Sequence, residues 1–202
     1  MRSPQTRQAR WLSRDREILE AALRLFAENG YHGTSVDDIA RAARTSKGGL
    51  YFHFPSKGDL FSALLDYAAR LLLSKIEGAV RDVDDPLAKL ERGLEVFVRT
   101  ITSHRALARL FLVEGFGAGP DFQARLREVH GLFISFIKDQ LEAAIRRGIV
   151  RPVDTDLISV VWFGALYQLL LHWLSTGEPA SLEEGYGRLV RLLAKTIDLE
   201  VD

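Results

Sequence analysis

The sequence predicts an all-α protein in two parts, a small helix-turn-helix domain followed by a larger helical body. Three observations carry this: apolar residues recur at three- and four-residue steps along nearly the whole chain, no sustained period-2 run of β-branched residues interrupts them, and short Gly, Pro and Ser-x-x-Asp punctuation separates the periodic segments. Taking the elements in order, Ser13–Asn29 places Ile18, Leu19, Ala22, Leu25 and Phe26 on one face and stops at Gly30, a residue suited to a helix C-terminus. Ser35 and Asp38 form a cap for a second, short helix carrying Val36, Ile39, Ala40 and Ala43. After only Arg44 and Thr45, helical spacing resumes over Ser46–Phe54 and ends at Pro55. Ser56 and Asp59 repeat the cap ahead of a long helix from about Leu60 to Val80. Further helices are expected over Pro86–Ser103, His104–Phe116, Asp121–Arg147, Asp154–Ser175 and Ser181–Asp198. The domain boundary is set at 58/59, giving a reading head over 1–58 and a body over 59–202.

With 202 residues and 47% apolar content the chain can bury a sizeable core. It has no cysteine, which excludes disulfides and thiolate metal sites and suits a reducing cytoplasm. The arginine-rich N-terminus has no apolar stretch and is not expected to act as a secretory signal. The net charge of zero hides an asymmetry. Residues 1–60 carry 10 Lys and Arg against 7 Asp and Glu, and the remainder carries 17 against 20. Arg2, Arg7, Arg10, Arg14 and Arg16 form a basic arm that either neutralises phosphates or is merely solvated.

Helix, tight turn, helix is the geometry that sends a second helix into the DNA major groove, but many helical hairpins share it. The chemistry of the second helix, Ser46-Lys47-Gly48-Gly49-Leu50-Tyr51-Phe52-His53-Phe54, decides. Two glycines inside a helix cost about 1 kcal/mol each relative to alanine, and close approach to a flat surface gives that cost a reason. The alternative is that they mark a loop. Lys47 is the best direct reader, since its ammonium can donate to guanine O6 and N7, and Arg44 is a second.

These residues match a family. Leu25-Phe26-Ala27-Glu28-Asn29-Gly30-Tyr31, then Gly33-Thr34-Ser35-Val36-Asp37-Asp38-Ile39-Ala40, then Ser46 through Lys57, closely resemble the TetR family of bacterial regulators, continuously over about residues 14–65. The resemblance implies phosphate contacts from Thr34, Tyr51, His53 and Lys57, and base-edge or sugar contacts from Thr45, Ser46, Lys47, Gly48 and Gly49, with Leu50, Phe52 and Phe54 packed inward. For Tyr51 and His53 the alternative is support of the helix from the core side. Arg44 and Thr45 stand where the family more often has glycine and a small apolar residue.

Leu157–Leu174 is an eighteen-residue stretch without formal charge, the lower limit for a membrane span. Ser159, Gln168 and His172 within it, and Asp154 and Asp156 at its start, favour a soluble helix buried on several faces, so no membrane is expected. By resemblance this helix and the last, with Leu189, Leu192, Leu193, Thr196 and Ile197, form a homodimer interface. Between head and interface, Phe97, Phe111, Glu114, Phe116, His130, Phe133, Phe136, Trp162, Tyr167 and Gln168 are candidates for an apolar effector cavity with few polar fixtures, each aromatic having ordinary core packing as its alternative.

The expected function is a cytoplasmic, ligand-responsive DNA-binding regulator, a repressor released from a palindromic double-stranded operator by a small hydrophobic effector, with no cofactor. An enzyme is the competing class. Gly115-Phe116-Gly117-Ala118-Gly119 follows no strand, no Gly-x-Ser-x-Gly or Walker sequence occurs, and a metal site from His104, Glu114, His130 and His172 has no support in spacing. A helical adaptor for another protein is the third reading; steep salt dependence of DNA binding separates the regulator from both.

Overall fold

The computed structural model describes residues 4–115 and 119–198, with the side chains of 14–115 and 119–197. Nine α-helices and no strand are found among them: α1 (Pro4–Gly33), α2 (Val36–Ala42), α3 (Lys47–His53), α4 (Lys57–Val80), α5 (Pro86–Ser103), α6 (Arg105–Leu112), α7 (Pro120–Arg146), α8 (Thr155–Thr176) and α9 (Leu182–Asp198). The periodicity located seven of these to within about three residues at each end. The exceptions are α1, which starts nine residues earlier than expected, and α6, which stops at Leu112. Pro4 suits a first helical turn and Gln, Arg and Ala after it are good helix formers, so the segment read as an arm is helical.

The chain divides into two compact units, one of residues 1–68 with 106–126 and the other of 69–105 with 127–202. The first therefore takes in α6 and the start of α7 as well as the head, and α4 and α7 each have residues in both.

In the first unit the buried face of α1 is Ile18, Leu19, Ala22 and Phe26. Phe26 meets Phe61 edge-on at 5.3 Å, and Phe61 stacks on Phe122 at 4.7 Å and lies 5.5 Å from Phe111. The helix breaks at Gly30, where φ is 73°, a left-handed conformation that glycine adopts without strain. Glu114 closes against this break: a Cβ on Gly30 would sit 3.0 Å from its Oε2.

In the second unit Leu90, Ile137, Leu141, Ala144, Val150, Trp162, Phe163 and Ile197 form a core shared by α5, α7, α8 and α9. Asp85 and Asp154 cap α5 and α8 by accepting from the N–H groups of Ala88 and Leu157. Gly177, at φ 80°, ends α8 in a left-handed cap. Trp162 Nε1 donates to Thr196 Oγ1 at 3.1 Å and ties α8 to α9.

Candidate nucleic-acid interface and effector crevice

Local chemistry fixes the reading head residue by residue. Ser35 accepts from the N–H of Asp38 at 3.1 Å while its hydroxyl donates to the Asp38 carboxylate, which holds that carboxyl below its ordinary pKa. Ser46 caps α3 in the same way, accepting from the N–H of Gly49 at 3.0 Å. The turn between α2 and α3 has Arg44 at φ 52°, where the family's usual glycine carries no penalty, and Arg14 donates to the Arg44 carbonyl at 2.7 Å. Leu50 and Phe54 anchor α3 inward.

On the outer side of α3 the expected readers are exposed. Lys47 is half-exposed, its Nζ 2.8 Å from Asp37, which raises the ammonium pKa and sets a carboxylate in competition with any base. Gly48 faces open space, with nothing within 4 Å of the position a Cβ would take, and its φ is not left-handed, nor is that of Gly49. The glycines are helical, which removes the loop reading. Ser46, Arg44 and Tyr51 are also exposed, and Thr45 half-buried. Phe52 corrects the sequence expectation. The expected place is inward, but Phe52 is 68% exposed, because α3 and its C-cap leave one inward stripe, which Leu50 and Phe54 fill.

Three expected phosphate contacts sit in settings the sequence did not reveal. Thr34 is 2% exposed and its hydroxyl donates to the carbonyls of Leu25 and Gly30, so it fastens the α1 break, leaving no outward hydroxyl. His53 places Nδ1 on the Asp15 carboxylate and is largely buried, in line with core-side support. Lys57 lies with Nζ 4.4 Å from the Tyr31 ring and 5.9 Å from Phe26, and burial lowers its pKa. The pairings of Asp15 with His53 and of Asp37 with Lys47 carry no signal in the sequence, because each joins residues ten or more positions apart.

In the second unit Phe97, Phe133 and Phe136 come together, with Phe163, Leu166, Leu94, Ile76 and Ile137, around an entirely apolar crevice. Its free space is about 10 Å³, barely one water, so admitting an effector requires ring movement. The His130 ring rests on Phe163 at 5.0 Å and Tyr167 at 4.6 Å, and burial pushes its pKa down, favouring the neutral imidazole. The other expected ligand residues lie elsewhere. Phe111 and Glu114 belong to the first unit, Trp162 turns toward α9, Gln168 is exposed on α8, and Phe116 lies outside the described residues. A wider hollow of about 610 Å³ borders Glu91, Arg92, Glu95, Arg99, Glu183 and Tyr186, but Glu95 is already paired with both arginines, and the rim is charged. Among the described residues no three His, Asp or Glu side chains converge as metal ligands.

An apolar stripe also remains uncovered. Leu157, Val160 and Val161 of α8 and Leu192 of α9 are at least half exposed, the first 60% and the last 63%. Opposite them on α8, Trp162, Phe163, Leu166, Leu170 and Trp173 are buried.

Comparison with known proteins agrees with this geometry. Residues 18–64 match the family model described as bacterial regulatory proteins, tetR family. Over 184 residues, 91% of this chain and 96% of the relative, the chain is 24% identical to YhgD, an uncharacterized HTH-type transcriptional regulator of Bacillus subtilis (strain 168). The fold matches the regulator FadR of Bacillus subtilis, solved with stearoyl-CoA, at TM-score 0.77 and 21% identity, over 88% of this chain and 96% of that one. It also matches AibR, solved with isovaleryl coenzyme A and operator DNA, at TM-score 0.63 and 26% identity, over 87% and 96%. With the capped helix-turn-helix of residues 35–54 lying inside the matched segment, residues 18–64 form a DNA-binding head of the tetR family of bacterial regulatory proteins.

Proposed function

We propose that the protein is a cytoplasmic homodimeric repressor, acting by binding rather than catalysis, that leaves its operator when an apolar-chain effector enters the second unit. The observation that carries the DNA half is the outer side of α3, where Lys47, Gly48, Tyr51 and Phe52 are exposed behind a firm inner anchor at Leu50. A helix presented this way, with a glycine at the closest point, fits the major groove. In this reading Lys47 exchanges Asp37 for a guanine edge, Arg44 is a second reader, and Lys57 and Tyr51 hold phosphates.

The aromatic crevice supports an apolar effector, and the acyl-CoA ligands of FadR and AibR support an acyl chain as its body. The uncovered stripe on α8 and α9 supports pairing of two copies, whose reading helices then meet successive major grooves about 34–36 Å apart. Helix α4 runs unbroken from Lys57 to Val80, so its first residues follow the reading helix and its last belong to the effector unit. We assign the coupling to it: an effector that favours another spacing of the heads lowers operator affinity.

Two lysine variants test the reading head. Lys47→Ala relaxes base preference at one operator position, at about 1–3 kcal/mol for a bidentate guanine contact. Lys57→Ala weakens binding to all sequences alike and lowers the slope of log K against log salt by about one unit. An unchanged salt slope in Lys57→Ala together with altered base preference refutes this division of roles.

A further inference from the structure

Two side-chain polar atoms among the described residues are buried with no hydrogen-bond partner, Thr100 Oγ1 and His130 Nε2. Such atoms are rare in folded proteins and invite an explanation. The hydroxyl of Thr100 has a ready intrahelical acceptor one turn back, the kind its neighbours use: Thr102 donates to the Val98 carbonyl at 3.0 Å and Ser103 to that of Arg99 at 2.8 Å. Thr100 does not.

The two orphaned atoms are in step. Gly93 of α5 meets the Phe136 ring of α7 so closely that a Cβ there would lie 2.7 Å from Cζ, and Phe97 meets Phe133 at 5.2 Å. Three or four residues forward on α5 thus match three back on α7, and the next step along the same two faces is Thr100 and His130. His130 also touches Phe163, which lines the crevice with Phe97, Phe133 and Phe136. Carried one turn beyond Phe97 and Phe133, the same register would bring the two unsatisfied atoms, Thr100 Oγ1 and His130 Nε2, together next to Phe163 at one end of the apolar crevice.

We infer that Thr100 and His130 are the polar anchor of the effector site, and that the effector is an uncharged molecule whose apolar body fills the aromatic crevice and whose carbonyl or hydroxyl oxygen bonds to both. This rests on the sensor reading above. The crevice lining contains no Lys or Arg, so a carboxylate there loses its water without gaining a counter-charge. A neutral oxygen needs only hydrogen bonds, and burial keeps the His130 ring neutral.

The test uses two probes of equal chain length, 2-hexanone and n-hexane, the alkane kept below its low aqueous solubility, titrated into the full-length protein while the 13C-labelled methyls of Ile76 and Ile137 are followed by NMR. The expected result is that 2-hexanone shifts both methyls and binds wild type about tenfold more tightly than Thr100→Val, as for one lost hydrogen bond. His130→Phe loses a similar factor. n-Hexane binds all three proteins alike, which also shows that the variants keep the crevice. Thr100→Val melts higher than wild type, because the isosteric change removes an unsatisfied hydroxyl. If 2-hexanone shifts the methyls equally tightly in wild type and both variants, the anchor is refuted and the sensor reading stands. If neither probe shifts them, both are refuted.

Discussion

Adding one methyl group at Gly48 separates the demands of the fold from those of DNA. Both glycines of α3 have helical φ, so neither is required by the backbone. Their surroundings differ. A Cβ at 49 would lie 2.6 Å from Thr45 Oγ1 and 3.2 Å from the capping Ser46 Oγ, whereas a Cβ at 48 meets nothing within 4 Å. Gly48→Ala therefore costs the protein no clash, and lower unfolded-state entropy with better helix propensity stabilises it by about 0.4–1 kcal/mol. For a chain of this size that is a rise of up to about 4 °C in Tm. On the operator the same methyl keeps the backbone of α3 away from the groove, and affinity is expected to fall at least about tenfold, or ~1.4 kcal/mol. Calorimetry and fluorescence anisotropy on an operator duplex read the two effects side by side. An operator Kd within about twofold of wild type refutes the argument that Gly48 exists for close approach.

Arg44→Gly should relieve the left-handed backbone at φ 52°, a relief of about 1–2 kcal/mol set against about 0.5–1 kcal/mol of added chain entropy. A higher urea midpoint is expected, and an unchanged one shows that the turn is unstrained. The paired change Leu157→Glu, Val161→Glu places charge on the uncovered stripe of α8 and should give monomers by light scattering with weakened operator binding; a dimer that persists moves the interface elsewhere. Because burial lowers the His130 pKa in the folded state, its contribution to stability is complete above the unfolded value of about 6.5 and is lost as pH falls through it, at up to ~1.4 kcal/mol per pH unit. His130→Phe should flatten that acid-side decline, and equal slopes in the two proteins contradict the assignment.

Much of the fold was legible because caps and periodicity are local. Ser35, Ser46, Asp85 and Asp154 each cap a helix, all four at starts the pattern located to the residue or its neighbour. The inward stripe of α3 was half legible: Leu50 and Phe54 follow a four-residue step and are buried, while Phe52, two residues from each, is off that step and exposed. Settings made by long-range contacts were not visible. Nothing near Thr34 announces that Leu25 and Gly30 take its hydroxyl, nor near His53 that Asp15 waits 38 residues away. Residue type alone marks the ligand candidates in the sequence, and type does not fix phase. Phe97, Phe133 and Phe136 share a crevice, Trp162 and Gln168 point out of it, and Phe163, adjacent in sequence to Trp162, lines it.

Whether α3 reads an operator is decided by selecting duplex DNA from a random library with the full-length protein and titrating the enriched sequence with salt. The expected product is a two-fold symmetric sequence whose half-sites are spaced for reading helices about 34–36 Å apart, bound with an affinity that falls steeply and linearly in log–log form as salt rises. Failure to enrich any sequence, with whatever binding remains indifferent to salt, contradicts it.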